Sequence, residues 1–203
     1  MTDGQLPTRT ARISRTTGET SIELTLIVDG NGTIEANTGV PFLDHMLNAW
    51  GRHARLDLTV TATGDAGMDP HHTVEDVGIA IGQAIRQALG DRAGIERYGF
   101  AYVPLDEALA RVVIDCSGRP YLEFAATMPE PVIGVDFASS LVEEFWRALA
   151  VNAGLTMHID LLRARNAHHA AEAIFKAAAV ASRIAFARTA PSTFMPSTKG
   201  VLA

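Results

Sequence analysis

Cysteine is almost absent from this chain: among its 203 residues, Cys116 is the only one. An internal disulfide is therefore excluded, and a lone thiol is typical of proteins from a reducing compartment. The segment before Pro7 lacks the apolar core of a secretory signal, and no apolar run is long enough to span a bilayer. We therefore expect a cytoplasmic protein that has no membrane partner.

Basic clusters are also absent. Lys and Arg together number 17 against 23 for Asp and Glu, which gives a net charge of −6. This balance argues against nucleic acid as a partner. The chain has no glycine-rich phosphate loop of the Walker type, which argues against a nucleotide kinase. A hydrophobic fraction of 47% allows a substantial core. We therefore expect a globular protein that neither binds nucleic acid nor acts as a nucleotide kinase.

The most informative pattern is a short motif, His-His-x-x-Glu, that occurs twice. It spans residues 71–75 and again residues 168–172, and these two copies hold four of the seven histidines. Each copy is expected to open a helix, since Asp69 and Asn166 are suitable caps and Pro70 suits a first turn. A single such pair is typical of a helix surface, but its duplication indicates a function.

Helical spacing predicts what this motif binds. The first His and the Glu of each copy are four residues apart and share one stripe, while the second His is rotated by about 100°. One stripe offers a metal two ligands, and the second His can reach another metal. Two copies related by a pseudo-twofold would build two equivalent sites. Imidazole and carboxylate suit Mn, Fe, Zn, Co or Ni, and the lack of thiolates argues against a structural zinc site.

The order of the predicted elements also repeats. Strands are predicted at residues 9–16, 20–28, 33–37 and 56–63, and again at 100–103, 108–116, 121–126 and 155–162. Helices are predicted at residues 41–50, 69–89, 137–152 and 167–188, and residues 29–32 predict a hairpin turn. The order βββαβα therefore occurs twice, which indicates an internal duplication within an α+β fold. We expect two half-domains in one functional domain, residues 1–93 and residues 94–203, the second with a C-terminal substrate-binding tail.

The repeat also suggests where further ligands lie. His45 and Glu144 occupy the same place in the two halves, so each could complete one metal site. A solvated helix face is an equally good interpretation of Glu144. His53 either complements the dipole at the end of its helix or contacts a substrate, and His158 is interpreted as structural.

Four ordered motifs, at residues 42–47, 71–76, 166–177 and 196–200, resemble the imidazoleglycerol-phosphate dehydratase family, and the resemblance runs from about residue 11 to residue 202. It implies dehydration of D-erythro-imidazole glycerol phosphate to imidazole acetol phosphate in L-histidine biosynthesis, through a metal-bridged imidazolate intermediate. It also implies two mixed β-sheets that sandwich a layer of four helices, as in ribosomal protein S5 domain 2-like folds. The resemblance further implies two Mn(II) ions per active site and a 24-subunit homo-oligomer with sites between subunits.

The resemblance further implies a role for each matched residue. One metal would bind His45, His72, His168 and Glu172. The other would bind His71, Glu75 and His169, with Glu144 at a fourth position where many members have His. The expected catalytic residues are Glu19, for proton transfer, together with His71, His72, His168 and His169. The expected substrate-binding residues are Glu19, His45, His53, Arg97, Arg119, Lys176, Ser197, Thr198 and Lys199.

Two other functions stay open at this point. A di-metal phosphate-ester hydrolase would use the same ligand types and would release inorganic phosphate. A non-catalytic metal-binding assembly protein would bind metal without turnover, although it leaves the Pro-Ser-Thr-Lys-Gly sequence of the tail unexplained.

Overall fold

The computed structural model describes residues 7–64 and 69–202, and the order βββαβα occurs in it twice, with a two-stranded hairpin inserted before the first helix of the second half. The first half contains β1 (Thr10–Thr16), β2 (Thr20–Ile27), β3 (Ile34–Asn37), α1 (Pro41–Ala54), β4 (Asp57–Gly64) and α2 (His71–Leu89). The second half contains β5 (Tyr98–Leu105), β6 (Ala108–Asp115), β7 (Tyr121–Ala125), β8 (Val132–Ile133), β9 (Phe137–Ala138), α3 (Leu141–Ala153), β10 (Thr156–Arg163) and α4 (Ala167–Ala185). The predicted boundary between residues 93 and 94 falls between α2 and β5.

Each half forms one four-stranded sheet with the same strand order. The orders are β1-β2-β4-β3 and β5-β6-β10-β7, and in both sheets the last pair is parallel while the others are antiparallel. Helix α2 packs on β1 and β2, α4 packs on β5 and β6, and the helices then pack across the halves as α1 on α4 and α2 on α3. The predicted α+β fold, with two mixed sheets around four helices, is confirmed.

The hairpin predicted at residues 29–32 is wrong. Strands β2 and β3 do not pair, because β4 lies between them and pairs with both. The Asp57 carboxylate, at the start of β4, accepts the backbone N–H groups of Asn31 and Thr33 at 2.8 and 2.9 Å. The Gly-rich turn is therefore held by a later strand, and local turn residues alone could not reveal this pairing.

The helix predicted from residue 137 begins later than expected. Phe137 and Ala138 form β9, which pairs with β8 as a short antiparallel hairpin inserted before α3. Phe137 is buried and lies 4.8 Å from the ring of Phe42 at the start of α1. Phe137 is therefore apolar because it packs between the two halves, and not because it lies on the buried face of a helix.

The four helices begin at the same end of the molecule. A Cβ on Gly78 would meet the carbonyl of Phe145, and one on Gly82 would meet that of Leu149, so α2 and α3 run parallel in close contact. Pro70 and His45 line one cavity at the start of α2 and α1, while Leu89 and Arg188 line another near the ends of α2 and α4. Both motif copies therefore lie at one end of the fold. Within the described ranges, no helix has the length and apolar character needed to cross a membrane.

Candidate active site

The start of α1 places His45. Pro41 occupies the first turn of α1, and the backbone N–H and the hydroxyl of Thr38 both donate to the Asp44 carboxylate, at 2.9 and 2.7 Å. These bonds join the segment before α1 to its first turns and fix the direction in which the helix begins. His45, the next residue, then lies against α4, with its ring centroid 5.5 Å from that of His168.

The second motif copy and His45 together form a compact donor group. Glu172 Oε2 lies 3.2 Å from His168 Nε2 and 3.5 Å from His45 Nε2. The three donor atoms lie within 4.8 Å of one another, and this is the only such group of His, Cys, Asp or Glu found in residues 7–64 and 69–202. Imidazole and carboxylate donors at this spacing fit a divalent first-row metal ion.

Electrostatics keep the Glu172 carboxylate ionised. Burial alone would raise its pKa, but the hydrogen bond and charge of Lys176, followed by His45 and His168, outweigh burial and lower the pKa. The Lys176 ammonium lies 2.6 Å from Glu172 Oε1, so Oε2 remains directed at the two histidines. The carboxylate is therefore charged and oriented for a metal at neutral pH.

The start of α4 has two capping groups. The Asn166 side chain accepts the His169 backbone N–H at 3.0 Å, which confirms the predicted cap, and the Glu130 carboxylate accepts the Ala167 N–H at 2.8 Å. The rings of His168 and His169 stand at 89° to each other. The two neighbouring histidines therefore point in different directions, as the helical spacing predicts.

His169 is paired with a carboxylate that the sequence did not single out. Its Nδ1 lies 2.8 Å from Oε2 of Glu107, in the turn between β5 and β6. This hydrogen bond holds the pKa of Glu107 at about 2 and raises the pKa of His169. Glu107 could have been noticed, because it precedes β6 just as Glu19 precedes β2.

In the first motif copy, His72 lies near Glu19. Its Nδ1 is 3.6 Å from Glu19 Oε2, and 55% of the Glu19 side chain is exposed. The turn that carries Glu19 is held from α2, because Asp76 accepts hydrogen bonds from Thr20 and Arg15. Glu19 therefore has a fixed backbone and a carboxylate that is more than half exposed, which suits proton transfer.

The remaining predicted ligands are not gathered in one chain. His72 lies beside Glu19 and outside the His45 group, and the proposed set of His71, Glu75, His169 and Glu144 forms no comparable group in the described residues. The His71 backbone N–H donates to Asp69 at 3.0 Å, as expected of a helix start. Glu144 is in the first turn of α3, half-buried, and its role as a ligand stays a prediction.

A second candidate region combines cations with the C-terminal tail. Arg97, Arg119 and residues 194–199 surround a cavity of about 650 Å³, with Ser197, Thr198 and Lys199 in its lining. Arg97 donates to both oxygens of Asp115, at 2.8 and 3.2 Å, and to the carbonyl of Pro196 at 2.6 Å. Arg97 therefore ties the tail to β6, while Arg119 and Lys199 make the region a basic pocket suited to an anion.

The sequence and fold have counterparts among known proteins. A family model described as imidazoleglycerol-phosphate dehydratase matches residues 38–182. The chain belongs to the imidazoleglycerol-phosphate dehydratase family. It is 55% identical to the enzyme of this name from Acidiphilium cryptum over 96% of the chain and 99% of the relative, and 53% identical to that of Synechococcus over 96% of each. The motif-based resemblance, and the prediction of an enzyme, are confirmed.

Solved structures of this family share the fold. The Staphylococcus aureus dehydratase aligns with a TM-score of 0.79 at 44% identity, covering 89% of this chain and 99% of its own. The structure from Pyrococcus furiosus aligns with a TM-score of 0.81 at 37% identity, covering 94% and 100%. The duplicated architecture is thus the fold of the dehydratase family.

A cavity lies beside the donor group of His45, His168 and Glu172, which we call the metal group, and contains more of the residues that the family resemblance singled out. It has a volume of about 650 Å³ and is lined by His45, Glu172, Lys176 and His53 among others. Burial, together with the charges of Lys176 and Arg183, lowers the pKa of His53. A neutral imidazole at neutral pH is able to accept or donate a hydrogen bond without adding charge to this cavity.

The metal group and the basic pocket lie at opposite ends of α4. His168 and Glu172 are in its first turns, whereas the Arg97 backbone N–H donates to the carbonyl of its last residue, Ala185, at 3.0 Å. At 1.5 Å per residue, the interval from Glu172 to Ala185 spans about 20 Å. An imidazole and a phosphate joined by three carbons are much closer together than this.

Proposed function

We propose that this chain is a hydro-lyase that converts D-erythro-imidazole glycerol phosphate into imidazole acetol phosphate and water, a step of L-histidine biosynthesis, and that it uses Mn(II). The observation that carries the proposal is the convergence of His45, His168 and Glu172, from the family's motifs, within 4.8 Å. Membership of the dehydratase family supplies the reaction.

The proposal includes two metal sites with the same types of ligand. His45, His168 and Glu172, with His72 from elsewhere, would hold one ion, and His71, Glu75, His169 and Glu144 would hold the other. Two ions bound there would act as Lewis acids toward the imidazole ring of the substrate and would favour its deprotonated form, whose electron density helps the hydroxyl on the adjacent carbon to leave.

The protein's own groups then have separate tasks. Glu19, exposed beside His72, takes the proton from the middle carbon of the three-carbon chain, and a proton is returned to the hydroxyl that leaves the carbon next to the imidazole ring, which gives water and the enol of imidazole acetol phosphate. Arg97, Arg119 and Lys199 bind the phosphate, with Ser197 and Thr198 as hydroxyl donors. Lys176 keeps Glu172 ionised, and His53 lines the cavity beside the metal group.

The site is proposed to be shared between copies of the chain. The separation of about 20 Å along α4 prevents one substrate from reaching both the metal group and the basic pocket of one chain. A homo-oligomer that brings the pocket of one copy to the metal group of another resolves this, and the family resemblance suggests a 24-mer. We place the enzyme in the cytoplasm, where the single buried thiol, Cys116, would stay reduced.

An exposed aromatic face supports such an assembly. The outward side of β5 carries Tyr98, Phe100 and Tyr102, which are 54%, 63% and 56% exposed, beside Val113 of β6. Single exposed apolar residues are ordinary, but a contiguous aromatic patch is typical of an interaction surface. A second copy of the chain is the partner we propose for it.

The test begins with removal of bound metal, followed by reloading with Mn(II) and addition of imidazole glycerol phosphate. Product and free phosphate are followed by NMR. Imidazole acetol phosphate that forms only in the loaded sample supports the proposal. Free phosphate would instead support the di-metal hydrolase, and bound metal with no turnover would support the non-catalytic metal-binding protein.

A further inference from the structure

Glu107 occupies the same place in the second half that Glu19 occupies in the first. Each is the last residue of the turn before the second strand of its sheet, Glu19 before β2 and Glu107 before β6. Each lies beside Nδ1 of the second His of the motif in its own half, His72 or His169. The duplication therefore produced two Glu–His pairs, of which only the Glu19 pair has a role in the proposed mechanism.

The Glu107 pair is much more tightly held. Its Oε2 lies 2.8 Å from His169 Nδ1, and its Oε1 accepts the backbone N–H groups of Arg165 and Asn166 at 3.2 and 3.0 Å. Only 20% of the Glu107 side chain is exposed, against 55% for Glu19. A carboxylate with both oxygens engaged is poorly suited to exchange protons with a substrate.

We propose that Glu107 is a positioning residue for metal binding: it accepts the Nδ1–H of His169 and so presents the Nε2 lone pair of that ring to a metal ion. The inference rests on the proposed function, in which His169 is a ligand of the second ion. An ionised carboxylate can only accept hydrogen bonds. It therefore selects the tautomer with the proton on Nδ1, which leaves Nε2 free for a metal.

The two oxygens of Glu107 allow the positioning role to be separated from a structural one. In Glu107→Gln, the amide oxygen can keep the two backbone hydrogen bonds of Oε1, while the NH2 group takes the place of Oε2. That group donates to Nδ1 and selects the tautomer with the proton on Nε2, the atom needed for the metal. The variant should keep the loop before α4 and lose the correct form of His169.

The chain offers a matched control at the same helix start. Glu130 accepts the Ala167 backbone N–H at 2.8 Å. Glu130→Gln also removes one negative charge near the start of α4, and its amide oxygen can keep that bond. A general effect of lost charge would therefore appear in both variants, whereas an effect through His169 would appear only in Glu107→Gln.

The experiment titrates metal-free protein with Mn(II) and measures free ion by EPR, so that it does not depend on turnover. For Glu107→Gln we expect the affinity of one class of site to fall about 10- to 100-fold, with the second class retained and thermal unfolding of the metal-free protein unchanged. Glu130→Gln should bind as the wild type does. Wild-type affinity in both classes for Glu107→Gln would overturn the proposal.

A double-mutant cycle supplies the second readout. If Glu107 acts through the ring of His169, adding Glu107→Gln to His169→Ala should cause no further loss of Mn(II) affinity. An equal additional loss in that background would overturn the proposal. If Glu107→Gln fails to fold, Glu107→Asp takes its place in both measurements, because a side chain shorter by one carbon keeps the charge but withdraws it from Nδ1. Failure of the dehydratase reaction would be visible separately, as normal Mn(II) binding without product.

Discussion

The two halves of the chain anchor equivalent turns in different ways. Each must tie the turn before its second strand to its motif helix. In the first half, Asp76 of α2 does so by accepting hydrogen bonds from Thr20 and Arg15. In the second half the equivalent helix position is Ala173, and the turn carboxylate Glu107 itself forms the link.

This difference would allow one duplicated element to serve the two functions proposed above. Asp76 anchors the first turn and Glu19 stays exposed, as the proposed proton transfer requires. Because no carboxylate replaces Asp76 in the second half, Glu107 is committed to its backbone bonds and to His169. If both proposals hold, the buried Asp76 leaves Glu19 available for chemistry, and in its absence Glu107 supports the neighbouring histidine instead.

The largest expected effect comes from Glu19→Gln. We expect turnover to fall about 100-fold or more, the usual scale for loss of a positioned proton-transfer group, while two Mn(II) ions still bind. Steady-state kinetics and metal analysis of the same preparation check this. If metal is lost together with activity, Glu19 supports the metal site and the contrast with Glu107 disappears.

A second difference between the halves is in helix packing. Gly82 of α2 is equivalent to Ala179 of α4, and a Cβ on Gly82 would lie 2.6 Å from the Leu149 carbonyl. Gly82→Ala should therefore destabilise the protein by about 1–3 kcal/mol through overpacking, although Ala is the better helix former. Urea unfolding measures the change. A more stable variant would mean that α2 and α3 can separate without loss.

Asp76→Asn breaks the anchor of the first turn. Asp76 is 7% exposed and its ion pair with Arg15 is partly shielded, so we expect a loss of about 1–2 kcal/mol in the free energy of unfolding. Activity should also fall, since the turn that carries Glu19 is loosened. Equal stability of variant and wild type in denaturant titrations would show that the ion pair contributes nothing.

Lys199→Ala tests the tail, which has no counterpart in the first half. Loss of one cation from the basic pocket should raise KM about 10-fold, the order expected for one charged hydrogen bond, with Mn(II) affinity unchanged. Initial rates over a range of substrate concentrations measure this. An unchanged KM would remove Lys199 from the phosphate site.

The pH dependence of stability gives the smallest effect. Burial alone would raise the pKa of Asp76, but hydrogen bonds from Thr20 and Arg15 outweigh it and lower the pKa. The stabilisation is therefore present above the unfolded value of about 3.9 and is lost as pH falls through the lower folded value. Metal-free wild type should lose stability in this acid range more steeply than Asp76→Asn. Parallel curves would contradict the assignment.

Much of the fold could be predicted from the sequence because it depends on local patterns. Period-two alternation located β2 and β4, and the repeated motif located α2 and α4. The position of β3 depends instead on Asp57, far along the chain, and no turn pattern records that contact. The β8–β9 hairpin was missed because Phe137 was taken as part of the apolar face of a helix, whereas it packs on Phe42 in the other half.

Part of the candidate site could also be predicted, because it too depends on local patterns. Helical spacing paired His168 with Glu172, and the repeat indicated His45. Glu107 was missed because a single turn carboxylate has no distinctive spacing, although its equivalence to Glu19 was present in the repeat. The separation of the metal group from the basic pocket needed the direction of α4, which no local pattern supplies.

The position of these two regions at opposite ends of α4 also has a genetic consequence. In a site shared between chains, a copy with Lys199→Ala still offers an intact metal group, and a copy with Glu172→Gln still offers an intact basic pocket. Two impaired variants expressed together should therefore give more activity at low substrate concentration than either variant alone. Random mixing of equal amounts would leave about one site in four with both intact parts, whereas two lesions in the same region would never compensate each other.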